Sequence, residues 1–128
     1  MAPFITKLAA RTDPTQVMQD LDAILDGTTI WEPQNQIGLK YRPGAVDQWK
    51  DATGSLYDLT TGVELAREED FTEWCYGIPF YTRAALEMLE RSEGVVLGRI
   101  RFMRAMPKTG LSMHVDLEQR YHLVLDTN

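Results

Sequence analysis

The chain's two histidines, His114 and His122, lie close together near its C-terminal end, with Asp116 two places after the first and Arg120 two places before the second. The residues around them, LSMHVD and RYHLVLD, alternate between apolar and ionisable types. Successive strand side chains point to opposite faces. As strands, the first puts Ser112, His114 and Asp116 on one face and Leu111, Met113 and Val115 on the other. The second puts Arg120, His122, Val124 and Asp126 on one face, with Tyr121, Leu123 and Leu125 opposite. If those polar faces turn into a cleft, they form a constellation of His, Asp, Arg and His. His114 and Asp116, spaced H-x-D, can grip one metal ion from one side, and a nitrogen–oxygen set without thiolate suits Fe(II) or Mn(II). On spacing alone, the commoner meaning of H-x-D is a surface pair on a solvated strand.

The elements that would hold these residues follow from pattern. DPTQVMQDLDAILDG predicts a helix capped by Asp13, with Pro14 in its first turn and Gly27 at its end. Val17, Leu21, Ile24 and Leu25 form its inner face, with Met18 at the edge. YTRAALEMLERSEG predicts a second helix, with Ala85, Leu86, Met88 and Leu89 along one side and Gly94 as its stop. Between them, NQIGLKYRPG alternates at Ile37, Leu39 and Tyr41 before a Pro-Gly turn, which leaves Lys40 and Arg42 facing solvent. PFITKLA and GSLYDL read as short extended pieces. REEDFTEWCYGIPFY reads as a helical turn sending Phe71, Trp74 and Phe80 into the core. From Val95 onward the composition is β-type: VVLGRIRFMRAM, a PKTG turn, LSMHVD, an LEQR turn and YHLVLD. In RIRFMR, Arg99 and Arg101 share a face and Arg104 takes the other; solvation or ion pairing is their ordinary use, carboxylate binding the sharper one. Helices and irregular segments precede strands, so the expected class is α+β, with N-terminal helices packed outside a sheet.

Composition narrows the function classes. Hydrophobic residues at 44% and charged residues at 25% match globular usage, which excludes a disordered or fibrous chain. A net charge of -6 disfavours a general nucleic-acid or membrane-surface binder. The single cysteine, Cys75, sits among aromatics with no basic neighbour in sequence, as a buried small hydrophobe does, and one cysteine permits no internal disulfide. A reduced, cytoplasmic setting is expected. MAPFITKLAAR lacks the apolar core of a signal sequence, and no apolar run approaches the roughly 20 residues of a membrane span. Trp31, Trp49 and Trp74 read as core residues rather than stacking platforms. Gly-rich phosphate loops, Cys-x-x-Cys pairs and serine-nucleophile elbows are absent from the sequence.

The segment RIRFMRAMPKTGLSMHVDLEQRYHLVLDTN resembles the aspartyl/asparaginyl β-hydroxylase family of Fe(II)- and 2-oxoglutarate-dependent oxygenases. The shared pattern is a basic strand, a Pro-x-x-Gly turn, H-x-D, then R-x-H leading into an apolar strand. The resemblance implies a cupin-like, jelly-roll double-stranded β-helix in one domain over 1–128. Residues 1–94 would be lead-in helices and irregular structure, and 95–128 the first core strands. It implies iron on His114 and Asp116, and 2-oxoglutarate on Arg120 and His122. Met103 stands where some members place a hydroxyl, and a thioether cannot donate a hydrogen bond there. The implied reaction is hydroxylation of a peptidyl side chain or a free amino acid by dioxygen, one oxygen atom entering the product and the other the succinate formed with carbon dioxide from 2-oxoglutarate. The family also uses a later iron-binding histidine and a later arginine, and this sequence has neither. Three sources are open for the second ligand: a missing half of the barrel, a second copy joined through unpaired sheet edges, or His122 itself. The reading from another class is a non-catalytic β-rich binding or assembly module built on the same first half.

Overall fold

The computed structural model describes residues 12–104, 111–116 and 121–126, the last two segments as backbone course and pairing, with the burial of Leu125. It is α+β: two helices lie on an antiparallel sheet, and a second, two-stranded sheet lies beside it. Helix α1 spans Pro14–Leu25, with the Asp13 side chain accepting from the Thr15 backbone N–H, as the cap residue type requires. Strands β1 (Gln36–Gly38) and β2 (Lys40–Tyr41) follow, then a 3-10 turn at Glu68–Asp70 and β3 (Glu73–Trp74). Helix α2 spans Phe80–Glu93 and ends at Gly94 with φ 65°, the left-handed geometry that glycine adopts without a Cβ penalty. Strands β4 (Arg99–Arg104), β5 (Leu111–Asp116) and β6 (Tyr121–Asp126) complete the fold. The main sheet has the order β1-β4-β5-β6, and β2 pairs with β3. The expected strands at PFITKLA and the turns at PKTG and LEQR lie outside the described residues. Among the described residues, no helix is long and apolar enough to cross a membrane.

One face of the main sheet is apolar and carries the helices. Ile37, Ile100, Phe102 and Leu125 meet Val17, Leu21 and Ile24 of α1 and Leu86 and Leu89 of α2 in one buried cluster, which also takes in Trp49 and Cys75. The helices are clasped to each other by polar bonds. The Asp20 carboxylate accepts from the Thr82 backbone N–H at 2.9 Å and the Thr82 hydroxyl at 2.7 Å, and Asp13 N–H donates to the Tyr81 hydroxyl. Burial pushes the Cys75 thiol far above its ordinary pKa, consistent with an inert core residue.

Several expectations are corrected by helix and strand phase. Phe80 is 85% exposed and Met88 53% exposed. At about 100° per residue, both fall on the far side of α2 from Thr82, Leu86 and Leu89. Trp74 is only half-buried, in β3, while Phe71 is fully buried. GSLYDL forms no regular strand; its one pairing is an isolated bridge from Tyr57 to Glu64 around a turn in which Asp58 accepts from Thr60 and Thr61. Lys40 does not face solvent but is 3% exposed. The predicted continuous alternation breaks after Gly38, because β1 and β2 join different sheets, and Leu39 and Lys40 are both buried. The Lys40 ammonium donates to the Leu97 carbonyl at 2.6 Å and sits over the Trp74 ring, and burial lowers its pKa. Trp31 and Trp74 are half-buried beneath cations, Arg104 over the first and Lys40 and Arg83 over the second.

Arg42 is an ion-pair partner rather than a free surface charge. Its side chain donates to both oxygens of Asp51, at 3.0 and 2.7 Å, and its backbone N–H to one of them at 2.8 Å. The hydrogen bonds from Arg42 hold the Asp51 carboxyl below the usual carboxylate range. A carboxyl whose pKa falls on folding contributes stability above its unfolded pKa of about 3.9, and loses it as pH drops through the lower folded value. Because the arginine is partly solvated, the contribution stays within the roughly 1 kcal/mol of surface pairs. Urea unfolding should therefore separate the natural protein from Asp51→Asn at pH 7, with the gap closing as pH falls below about 4.

Candidate functional site

The second face of the main sheet carries the candidate residues. In β4 and β5, Arg99 pairs with Asp116, Arg101 with His114, and Met103 with Ser112. In β5 and β6, His114 pairs with His122 and Ser112 with Val124. Directly paired residues share a face. Gly38 of β1 pairs with Arg101, so one row across all four strands reads Gly38, Arg101, His114, His122. Asp116 and Arg99 occupy the next row on that face. His114, Asp116 and His122 are thus brought to one face of two neighbouring strands, while Arg120 lies outside the described residues.

A register shift at Leu111/Ser112 corrects one expected member of this face. Leu111 pairs with Asp126, whereas Ser112 pairs with Val124. The extra residue moves Asp126 into the row of Arg104 and Leu111, on the face opposite His122. Strand alternation read without the bulge places it with the histidines.

The arginines of β4 are anchored cations. Arg99 and Arg101 are each 6% exposed. The Arg99 guanidinium donates to Glu68 at 3.1 Å and to the carbonyls of Ala52 and Gly54 at 3.2 and 2.8 Å. Arg101 donates to Gln36 Oε1 at 3.2 Å, and the same oxygen accepts from the Gly54 backbone N–H at 2.9 Å. Arg104, on the other face, donates to Asn35 Oδ1 and Glu32. Ion pairing, the ordinary use expected of RIRFMR, describes Arg99 and Arg104.

What covers the β1–β4 part of this face could not be anticipated. The irregular segment from residue 50 to residue 71 folds over it, with Ala52, Ala66 and Phe71 forming a small second core beside Leu56. Gly38 is where this segment comes closest: a Cβ there would stand 2.8 Å from the Ala52 Cβ. A glycine inside an otherwise alternating strand is the signal that marks such an approach. The same segment supplies Glu68 and both carbonyls to Arg99, so the cation holds the cover to the sheet.

Comparison with family models, curated proteins and solved structures finds no match to the chain.

Proposed function

We propose that the chain is an oxygenase-family domain using Fe(II) and 2-oxoglutarate, with a peptidyl side chain or a free amino acid as substrate. The observation that carries this reading is the row Arg101, His114, His122, with Asp116 one row away on the same face. The donor chemistry fits the group. Imidazole and carboxylate suit Fe(II), and the guanidinium that the R-x-H pair supplies at Arg120 suits a carboxylate of 2-oxoglutarate. The sheet, apolar toward the helices and polar on its other face, is read as the first part of a double-stranded β-helix.

In this reading His114 and Asp116 hold the metal, and Arg120 and His122 orient the co-substrate, the guanidinium by a bidentate contact to a carboxylate and the imidazole by a single hydrogen bond. When bound, the iron and 2-oxoglutarate would supply, with dioxygen as oxidant, hydroxylation of an unactivated C–H. The 50–71 cover and its clasp to Arg99 exclude water from the β4 side of the face.

Anaerobic titration with Fe(II) and 2-oxoglutarate tests the reading. A visible metal-to-ligand charge-transfer band is expected, with His114→Ala weakening iron binding at least tenfold. A natural protein that takes up no metal and shows no band overturns the oxygenase reading and favours a non-catalytic module.

A further inference from the structure

We infer that the cleft between the end of α1 and the turn at 47–50 binds a free aliphatic α-amino acid as its zwitterion, with the carboxylate on Lys50 and the ammonium toward Asp47. No residue lining this cleft belongs to the candidate face, and the binding needs no metal. The cleft has a volume of about 560 Å³ and is open to solvent. Small-molecule sites run from roughly 300 to 1,000 Å³.

The argument begins with charge. Lys50 is half-buried, and its ammonium donates to the Ile30 carbonyl and, at 3.0 Å, to the Gln36 carbonyl. An ammonium has three N–H donors, so one is left for a ligand. Among the described residues, no carboxylate stands within ion-pair distance of Lys50. Burial lowers its pKa, and the longer-range attraction of Asp47 and Glu32 only partly offsets that. Asp47, on the same turn, also lacks an ion-pair partner among the described residues. Its Oδ1 accepts from the Trp49 backbone N–H at 3.0 Å, which leaves Oδ2 to a ligand. Glu32, the other acid of the cleft, already accepts from Arg104. A cation and an anion that line one cleft without pairing suit a ligand carrying both signs close together.

The end of α1 favours the ammonium. The last carbonyls of a helix lack partners inside it and carry partial negative charge. The last turn of α1 holds no basic residue to meet that charge. Leu25 and Gly27 line the cleft, so this helix end and Asp47 both draw a ligand cation into it. An apolar wall of Leu25, Ile30 and Pro33 stands beside these charges. Ile30 is 62% exposed, and an aliphatic ligand side chain laid against it would take both from water.

L-leucine is the probe, added to metal-free protein without 2-oxoglutarate and followed by amide NMR. Shifts are expected at Gly27, Thr29 and Lys50. N-acetyl-leucine lacks the ammonium and leucine amide the carboxylate, and each should bind roughly tenfold more weakly or worse. Lys50→Met should weaken leucine binding by a similar factor. Asp47→Asn keeps an acceptor for the Trp49 N–H and should weaken it too, so the effect is read in a variant that retains the turn; circular dichroism checks both folds. Natural leucine affinity in either variant overturns the inference, as does leucine amide binding as tightly as leucine, or no shift at the cleft. If leucine instead shifts β5 and β6, this inference falls while a free amino acid gains support as the substrate at the candidate face.

Discussion

Asp20→Ala should lower the folding free energy by about 3 kcal/mol, among the largest single-side-chain effects expected in this chain. The first N–H groups of α2 have no partner inside the helix, and its cap residue, Pro79, brings no side-chain acceptor. Asp20 of α1 performs that task from the neighbouring helix. Its carboxylate, 7% exposed, accepts from both the backbone N–H and the hydroxyl of Thr82, which is itself 0% exposed. Hydrogen bonds to a charged group are worth about 1.5–3 kcal/mol each, and a buried donor left without an acceptor costs about 1–3 kcal/mol. Alanine removes both bonds at once, and a negative charge near the start of α2 goes with them. Asp20→Asn keeps an acceptor oxygen and should fall between the two. Urea unfolding at neutral pH measures the series. A loss below about 1 kcal/mol in Asp20→Ala would mean that Thr82 finds other acceptors and that the clasp is incidental.

Gly38→Val is expected to cost about 2–3 kcal/mol, in the range of overpacked cores, and to loosen the cover of the candidate face. Glycine weakens a strand interior by roughly 0.5–1 kcal/mol relative to alanine, so a substitution here would ordinarily help. Packing reverses the sign. A Cβ at 38 would lie 2.8 Å from the Ala52 Cβ and 3.4 Å from the Ala52 backbone nitrogen, and Ala52 is fully buried. Neither neighbour is the free end of a flexible side chain, so the 50–71 segment must move as a unit. Ala52 and Gly54 are the residues whose carbonyls hold Arg99. The expected signature is therefore twofold: a lower midpoint in thermal unfolding, and faster hydrogen exchange at Gly54 than in the helices. Unchanged exchange at Gly54 alongside lost stability would confine the damage to β1.

How much of this was legible depends on distance along the chain. Helix α1 was readable because its cap, its Pro and its apolar stripe are local signals, and β5 and β6 because strict alternation survives in short strands. The aromatic cluster around Phe80 suggests a core position, but the residue's phase is set by where α2 begins. Alternation along 37–42 points Lys40 to solvent, but the chain breaks there in a way that exists only once β1 finds β4 and β2 finds β3. The pairing of Ile37 with Phe102 joins segments whose local sequences say nothing of each other.

For the candidate face, the division is sharper. The sequence by itself determined the α+β class, the two helices, the strand character of 111–116 and 121–126, and the separation of His114 and Asp116 from their apolar neighbours. Those are properties of period and residue type, which local sterics and burial impose. Tertiary structure alone decided that Arg99 and Arg101 are buried cations, that the 50–71 segment covers them, and that Asp126 leaves the face. It also decided that His114 stands opposite His122. Register between strands is a property of two segments at once, and a single extra residue in β6, opposite the Leu111–Ser112 step of β5, reverses it.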